Sequence, residues 1–229
     1  MLIRVLSCCL VFSCSIWGGI FSFSSNFEGG DTEGWTIFTP VQGYVGGVGP
    51  TAPLSGGLAS SGFLEAEDAA NGYLYFIAPP SWAGDLLGGT LSFYLRNLSP
   101  NLYTDTAKEP TVRVEGSNGL VIYYSGLPGA GNDWNLNQLI FFPGPNWRLG
   151  TELSSPPASA AQVIDTLSDV VSIGILADWV ARYAGHPLGD FGPDITGLDD
   201  VTLVSIPEPG SALLVLAGLG SLAWRRRRG

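Results

Sequence analysis

Residues 111–124 read TVRVEGSNGLVIYY. Two runs rich in β-branched and aromatic residues flank Ser117, Asn118 and Gly119. Asn-Gly tolerates the positive φ that a tight turn demands, so the stretch predicts a β-hairpin. Working outward, residues 72–79 (GYLYFIAP), 89–99 (GTLSFYLRNLS), 137–142 (NQLIFF) and 170–181 (VVSIGILADWVA) have the same character, mostly bounded by Gly, Pro or Asn. In residues 90–96, Leu91, Phe93 and Leu95 alternate with Ser92, Tyr94 and Arg96, which sets one face in a core and one towards solvent.

One helix interrupts the strands. Residues 154–170 (SSPPASAAQVIDTLSDV) open with two prolines and then place Val163, Ile164, Leu167 and Val170 on one helical face, predicting a helix over 160–168. Residues 40–62, rich in Gly and Pro, read as loops with short strands. With 32 Gly, 16 Pro and only 13% charged residues, the chain suits short strands and many turns better than a helical bundle. The expected fold is all-β: an antiparallel, jelly-roll-like β-sandwich with one short helix.

Charge narrows the partners. Residues 25–206 hold 5 basic side chains (Arg96, Lys108, Arg113, Arg148, Arg182) and 19 acidic ones, a net of −14. Such a body repels phosphate backbones, so nucleic acid is excluded as an expected partner. The three cysteines, Cys8, Cys9 and Cys14, all lie in the first fifteen residues.

The two ends read as addresses. Arg4, an apolar run and then small residues have the layout of a secretory signal peptide, expected over residues 1–24 with Ser22 and Ser24 at the −3 and −1 positions. The alternative is a buried first strand or helix. A lipoprotein site at Cys14 is disfavoured because apolar residues continue beyond it. At the other end, residues 211–224 (SALLVLAGLGSLAW) carry no charge. As a helix they reach roughly 21 Å, a marginal span of a hydrocarbon layer about 30 Å thick. Trp224 suits an interfacial anchor, and Arg225, Arg226, Arg227 and Arg228 hold the C-terminus on the cytoplasmic side. Pro207 and Pro209 bracket Glu208 and stop the helix upstream.

Pro207-Glu208-Pro209, a short membrane helix and an arginine cluster, in that order over residues 206–229, resemble the PEP-CTERM sorting signal. The resemblance implies export by signal peptidase and the export machinery, an inner-membrane intermediate, and cleavage near Pro-Glu-Pro by an exosortase. It also implies a destination at the cell surface or in extracellular polysaccharide and biofilm.

The intervening residues 25–205 carry a second resemblance. Residues 72–96 (GYLYFIAPPSWAGDLLGGTLSFYLR), 112–126 (VRVEGSNGLVIYYSG), 146–150 (NWRLG), the helix, 170–181 and 197–203 (GLDDVTL) are similar in hydrophobic spacing to a laminin B (laminin IV type A) domain. That resemblance implies an extracellular β-sandwich used in adhesion and matrix assembly, without catalysis.

Candidate sites follow from residue type. Residues 26–35 (NFEGGDTEGW) open the body and 189–203 close it. If the first and last strands lie together, Glu28, Asp31, Asp199 and Asp200 offer hard oxygen ligands to calcium; the alternative is solvated turn carboxylates. Trp82, Trp134 and Trp147 sit in or beside loop-like segments and could face glycan; the alternative is that they fill the core. His186, alone and before proline, reads as structural or exposed. No nucleophile elbow, P-loop, zinc-helix motif or dinucleotide fingerprint occurs, so no catalytic residue is assigned. The expected role is structural or adhesive, with exopolysaccharide or another surface protein as partner. A carbohydrate-binding module is the alternative, and a glycoside hydrolase built on a carboxylate pair the remoter one.

Overall fold

The computed structural model describes residues 21–39, 47–68, 73–99, 111–151, 155–179 and 194–205. Residues 20–207 form one compact unit, and the architecture below is that of its described residues. Residues 1–20, Lys108, Arg182, His186 and the tail from Pro207 to Arg228 lie outside them.

Two six-stranded antiparallel sheets face each other. The first, sheet A, runs β3 (Gly47–Thr51), β4 (Leu64–Asp68), β12 (Asp194–Ser205), β6 (Thr90–Asn97), β9 (Asn135–Ile140), with β1 (Phe21–Ser25) also paired to β12. The second, sheet B, runs β10 (Trp147–Arg148), β8 (Val121–Tyr124), β7 (Val112–Gly116), β11 (Val170–Leu176), β5 (Tyr75–Ile77), β2 (Thr36–Phe38). The fold is therefore the antiparallel sandwich that the sequence predicts.

The alternation in β6 holds: Leu91, Phe93 and Leu95 are buried on the inner face, where Leu91 lies opposite Leu203 and Leu95 opposite Leu198. Val112, Val114, Ile122, Phe76, Ile173 and Ile175 face them from sheet B. The Asn-Gly hairpin forms as β7–β8, closed by a hydrogen bond from the Gly119 amide to the Gly116 carbonyl, and Gly119 takes a φ of 76°.

The helix α1 (Ala160–Leu167) starts at a reciprocal cap. Ser159 Oγ accepts from the Gln162 amide, and the Gln162 side chain accepts from the Ser159 amide. Val163 and Leu167 are fully buried, whereas Ile164 is exposed, so the apolar stripe is narrower than the sequence implies.

β12 is the longest strand, and its neighbours change halfway along. Residues 194–198 pair with β4, and residues 201–205 pair with β1. The pairing with β6 is broken by an irregularity between Asp199 and Thr202, where Asp200 adopts a φ of 50°. The two strands on this side of β12 thus leave a gap at Asp199 and Asp200.

Candidate functional site

That gap is roofed by the turn at Leu58–Ser60 and by the chain leaving β1. Asn26, Glu28, Ser61, Asp199 and Asp200 line a cavity of about 520 Å³ there. Asp199 is buried, and it organises the roof: its Oδ2 accepts from the Leu58 amide (2.7 Å) and the Ser61 hydroxyl (2.9 Å), while Oδ1 accepts from the Asp200 amide (2.7 Å). Burial pushes its carboxyl above the ordinary aspartate range, and Asp200 adds to the rise, against the lowering effect of the three hydrogen bonds. Glu65, on β4, is raised likewise by burial and by Glu67 beside it.

Three of the four carboxylates expected to meet, Glu28, Asp199 and Asp200, line this one cavity. Asp31 does not line it; its side chain accepts from the Glu33 amide in the preceding turn. Among the described residues no group of three or more His, Cys, Asp or Glu side chains is close enough to hold a metal. The four-carboxylate cage is therefore not formed.

The tryptophans are distributed differently from the sequence expectation. Trp82 is 4% exposed and stacks on Phe23, with centroids 5.8 Å apart, and edge-on to Trp35 at 5.3 Å. Trp147 is fully buried, edge-on to Tyr124 at 5.0 Å, with its indole N–H donated to the Phe142 carbonyl. Both are core residues, correcting their placement as glycan-facing groups: each indole is packed against other aromatic rings inside the fold. Trp134 is half-buried on the outer face of sheet A, edge-on to Phe63 at 5.6 Å and over Gly197, whose missing Cβ leaves room for the ring. The three rings do not come together.

A different face gathers aromatic and charged side chains. Register places Arg148, Tyr123, Arg113, Gly174, Ile77 and Thr36 in one cross-strand row on the outer face of sheet B. Glu115 and Ser172 lie opposite each other one step along on the same face, and Tyr75 and Phe38 one step the other way. Gly174 supplies no side chain, and an added Cβ there would lie 3.0 Å from Ile77 Cδ1 and 3.5 Å from Arg113 Cβ. Arg113 thus leans over the bare backbone until its guanidinium carbon lies 4.9 Å from the Phe38 ring centroid. Its Nη2 donates to Glu115 Oε2 at 2.7 Å. The Nε atoms of Arg113 and Arg148 are buried without a hydrogen-bond partner. Tyr75 and Tyr123 stand 6.4 Å apart beside them, both buried, while the face opens at exposed Phe38 and at half-buried Glu115 and Arg148.

Sequence reading misses this face because its parts come from six strands scattered between residues 36 and 148 and on to 174. The visible signal is Arg113 and Glu115 on alternate positions of the best-defined hairpin, charges facing away from Val112 and Val114.

An antiparallel β-sandwich is the class this geometry defines. Residues 205–228 match the PEP-CTERM protein-sorting motif, and the chain carries that motif directly after β12. No curated protein matches the sequence. Solved structures similar to the chain include the L4b domain of human laminin alpha-2, at 12% identity over 58% of this chain and 70% of that one, with a TM-score of 0.43. The family 11 carbohydrate-binding module of a Clostridium thermocellum cellulosomal cellulase shows 16% identity over 82% and 96%, with a TM-score of 0.45. A xylan-binding domain from Paenibacillus barcinonensis shows 14% identity over 81% and 94%, with a TM-score of 0.44. Among the described residues no helix is long and apolar enough to cross a membrane.

Proposed function

We propose that this is an exported, exosortase-processed protein of the cell surface or extracellular matrix, with a structural or adhesive role. Its sandwich holds polysaccharide on the outer face of sheet B. The observation that supports the binding role is the row Arg148–Tyr123–Arg113–Gly174 with Phe38 against the Arg113 guanidinium. Sugar rings offer apolar C–H faces to aromatic rings and closely spaced hydroxyls to planar, multidentate donors. The row also concentrates two of the five basic side chains in a body with nineteen acidic ones. The sorting role rests on the motif at residues 205–228. Residues 206–229 then act as the sorting signal, with Pro207, Glu208 and Pro209 as the exosortase-recognised element, and Trp224 and Arg225 to Arg228 as the membrane anchor.

Co-sedimentation with the producing organism's own exopolysaccharide tests the binding reading. Wild-type protein is expected in the pellet, and Phe38→Ala and Arg148→Ala in the supernatant. Equal pelleting of all three, or none for the wild type, removes it.

The cavity at Asp199 supports a second, independent reading, a calcium site. Asn26, Glu28, Ser60, Ser61, Asp199 and Asp200 all line it with oxygen-bearing side chains, which suit a hard cation. Because the carboxylates alone make no cage, carboxamide, hydroxyl and water oxygens would complete the shell. Calcium is expected to raise the thermal midpoint relative to chelator, and Asp199→Ala to abolish the difference. Equal wild-type midpoints in the two buffers dispose of the site.

A further inference from the structure

We infer that the exported chain keeps β1, so that its leader is removed upstream of Phe21, at the small-residue pattern Ser13-Cys14-Ser15, and not after Ser24. The reason lies in what β1 does in the sandwich. Phe21–Ser25 pairs residue for residue with Ser205 back to Val201. A cut after Ser24 removes four of those five pairs and turns the final stretch of β12 into an edge.

The side chains argue more strongly. Phe23, opposite Leu203, is the ring on which Trp82 stacks, and Trp82 in turn meets Trp35. Losing Phe23 opens this aromatic cluster to water. Ser25 is 3% exposed, and its hydroxyl accepts the Trp35 indole N–H at 2.9 Å. Cleavage after Ser24 makes Ser25 the first residue and removes the strand that holds this hydroxyl against Trp35.

Upstream of Phe21 the sequence supplies an alternative. A signal peptidase needs small residues at −3 and −1 after an apolar stretch. Ser13 and Ser15 meet that need, following the run from Val5 to Phe12. Hydrolysis of the Ser15–Ile16 peptide bond by water yields a carboxylate on Ser15 and an amine on Ile16. The strand is left whole, with residues 16–20 ahead of it.

N-terminal sequencing of the exported form of the full chain, expressed with its leader in a Gram-negative host, tests the inference. The expected first residue is Ile16. A first residue anywhere from Ser22 to Asn26, or a lipid-modified Cys14, overturns it. Two leader variants make the test independent of folding. Ser15→Leu is expected to leave the precursor uncut, whereas Ser24→Leu, at an exposed position, is expected to be processed as the wild type. The opposite pattern overturns the inference.

Discussion

The two sheets have the same number of strands and share one core, yet their outer faces are unlike. Sheet A contains both chain ends of the sandwich, β1 and β12, side by side, and its outer face carries a roofed-over acid, Asp199, with Glu65 nearby on β4. Sheet B contains neither end, and its outer face carries the arginine–aromatic row. The difference sets an acidic face beside the ends of the sandwich apart from a face that carries neither end. Substitutions on the two faces should therefore have separable effects, while the core between them should not respect the division.

The largest effect is expected from the core. Trp147→Ala should lower unfolding free energy by about 3–5 kcal/mol, as large buried aromatic truncations do. Urea denaturation should report this, with polysaccharide retention lost in step with the folded fraction. Next comes the sheet A face. Asp199→Ala strands the Leu58 amide, costing about 1–3 kcal/mol, and should leave retention unchanged in chelator. Reduced retention by a folded Asp199→Ala would break the comparison.

The titration of Asp199 sharpens it further. Because burial raises its carboxyl above the unfolded value, the folded state holds a proton that the unfolded chain has already released. Its contribution to stability is fully present below about pH 4, the ordinary carboxylate range, and is lost as pH climbs through the raised value. Denaturation in chelator should show this loss, and Asp199→Asn should flatten it. The smallest stability effect is expected on sheet B. Phe38→Ala should cost under about 1 kcal/mol, an exposed cation–π contact, despite removing retention.

The fold is legible wherever local chemistry and tertiary demand coincide. The Asn-Gly hairpin, the β6 alternation and the helix at 160–167 can all be read from neighbours in sequence. The Ile164 position cannot, because whether a stripe is two or three residues wide depends on what packs against it. β12 reads as a last strand only through the family resemblance and its place at the end of the body, since Gly197, Asp199 and Asp200 disguise a strand. Gly197 is covered by Trp134 and Phe63, and Asp199 by the turn at 58–61, all distant in sequence. β1 reads as the end of a leader because Phe-Ser alternation satisfies both a small-residue cleavage pattern and a strand edge. Of the candidate calcium residues, three share a cavity, because that expectation rests on where first and last strands lie in a sandwich. The sheet B row cannot be found that way, as register between distant strands decides it.

β12 also determines how the domain meets mechanical load. Along its final stretch it is held by β6 on one side and β1 on the other. A pull applied at Ser205 along the strand axis acts across both ladders. The hydrogen bonds then resist as a set, in shear, instead of parting singly from one end.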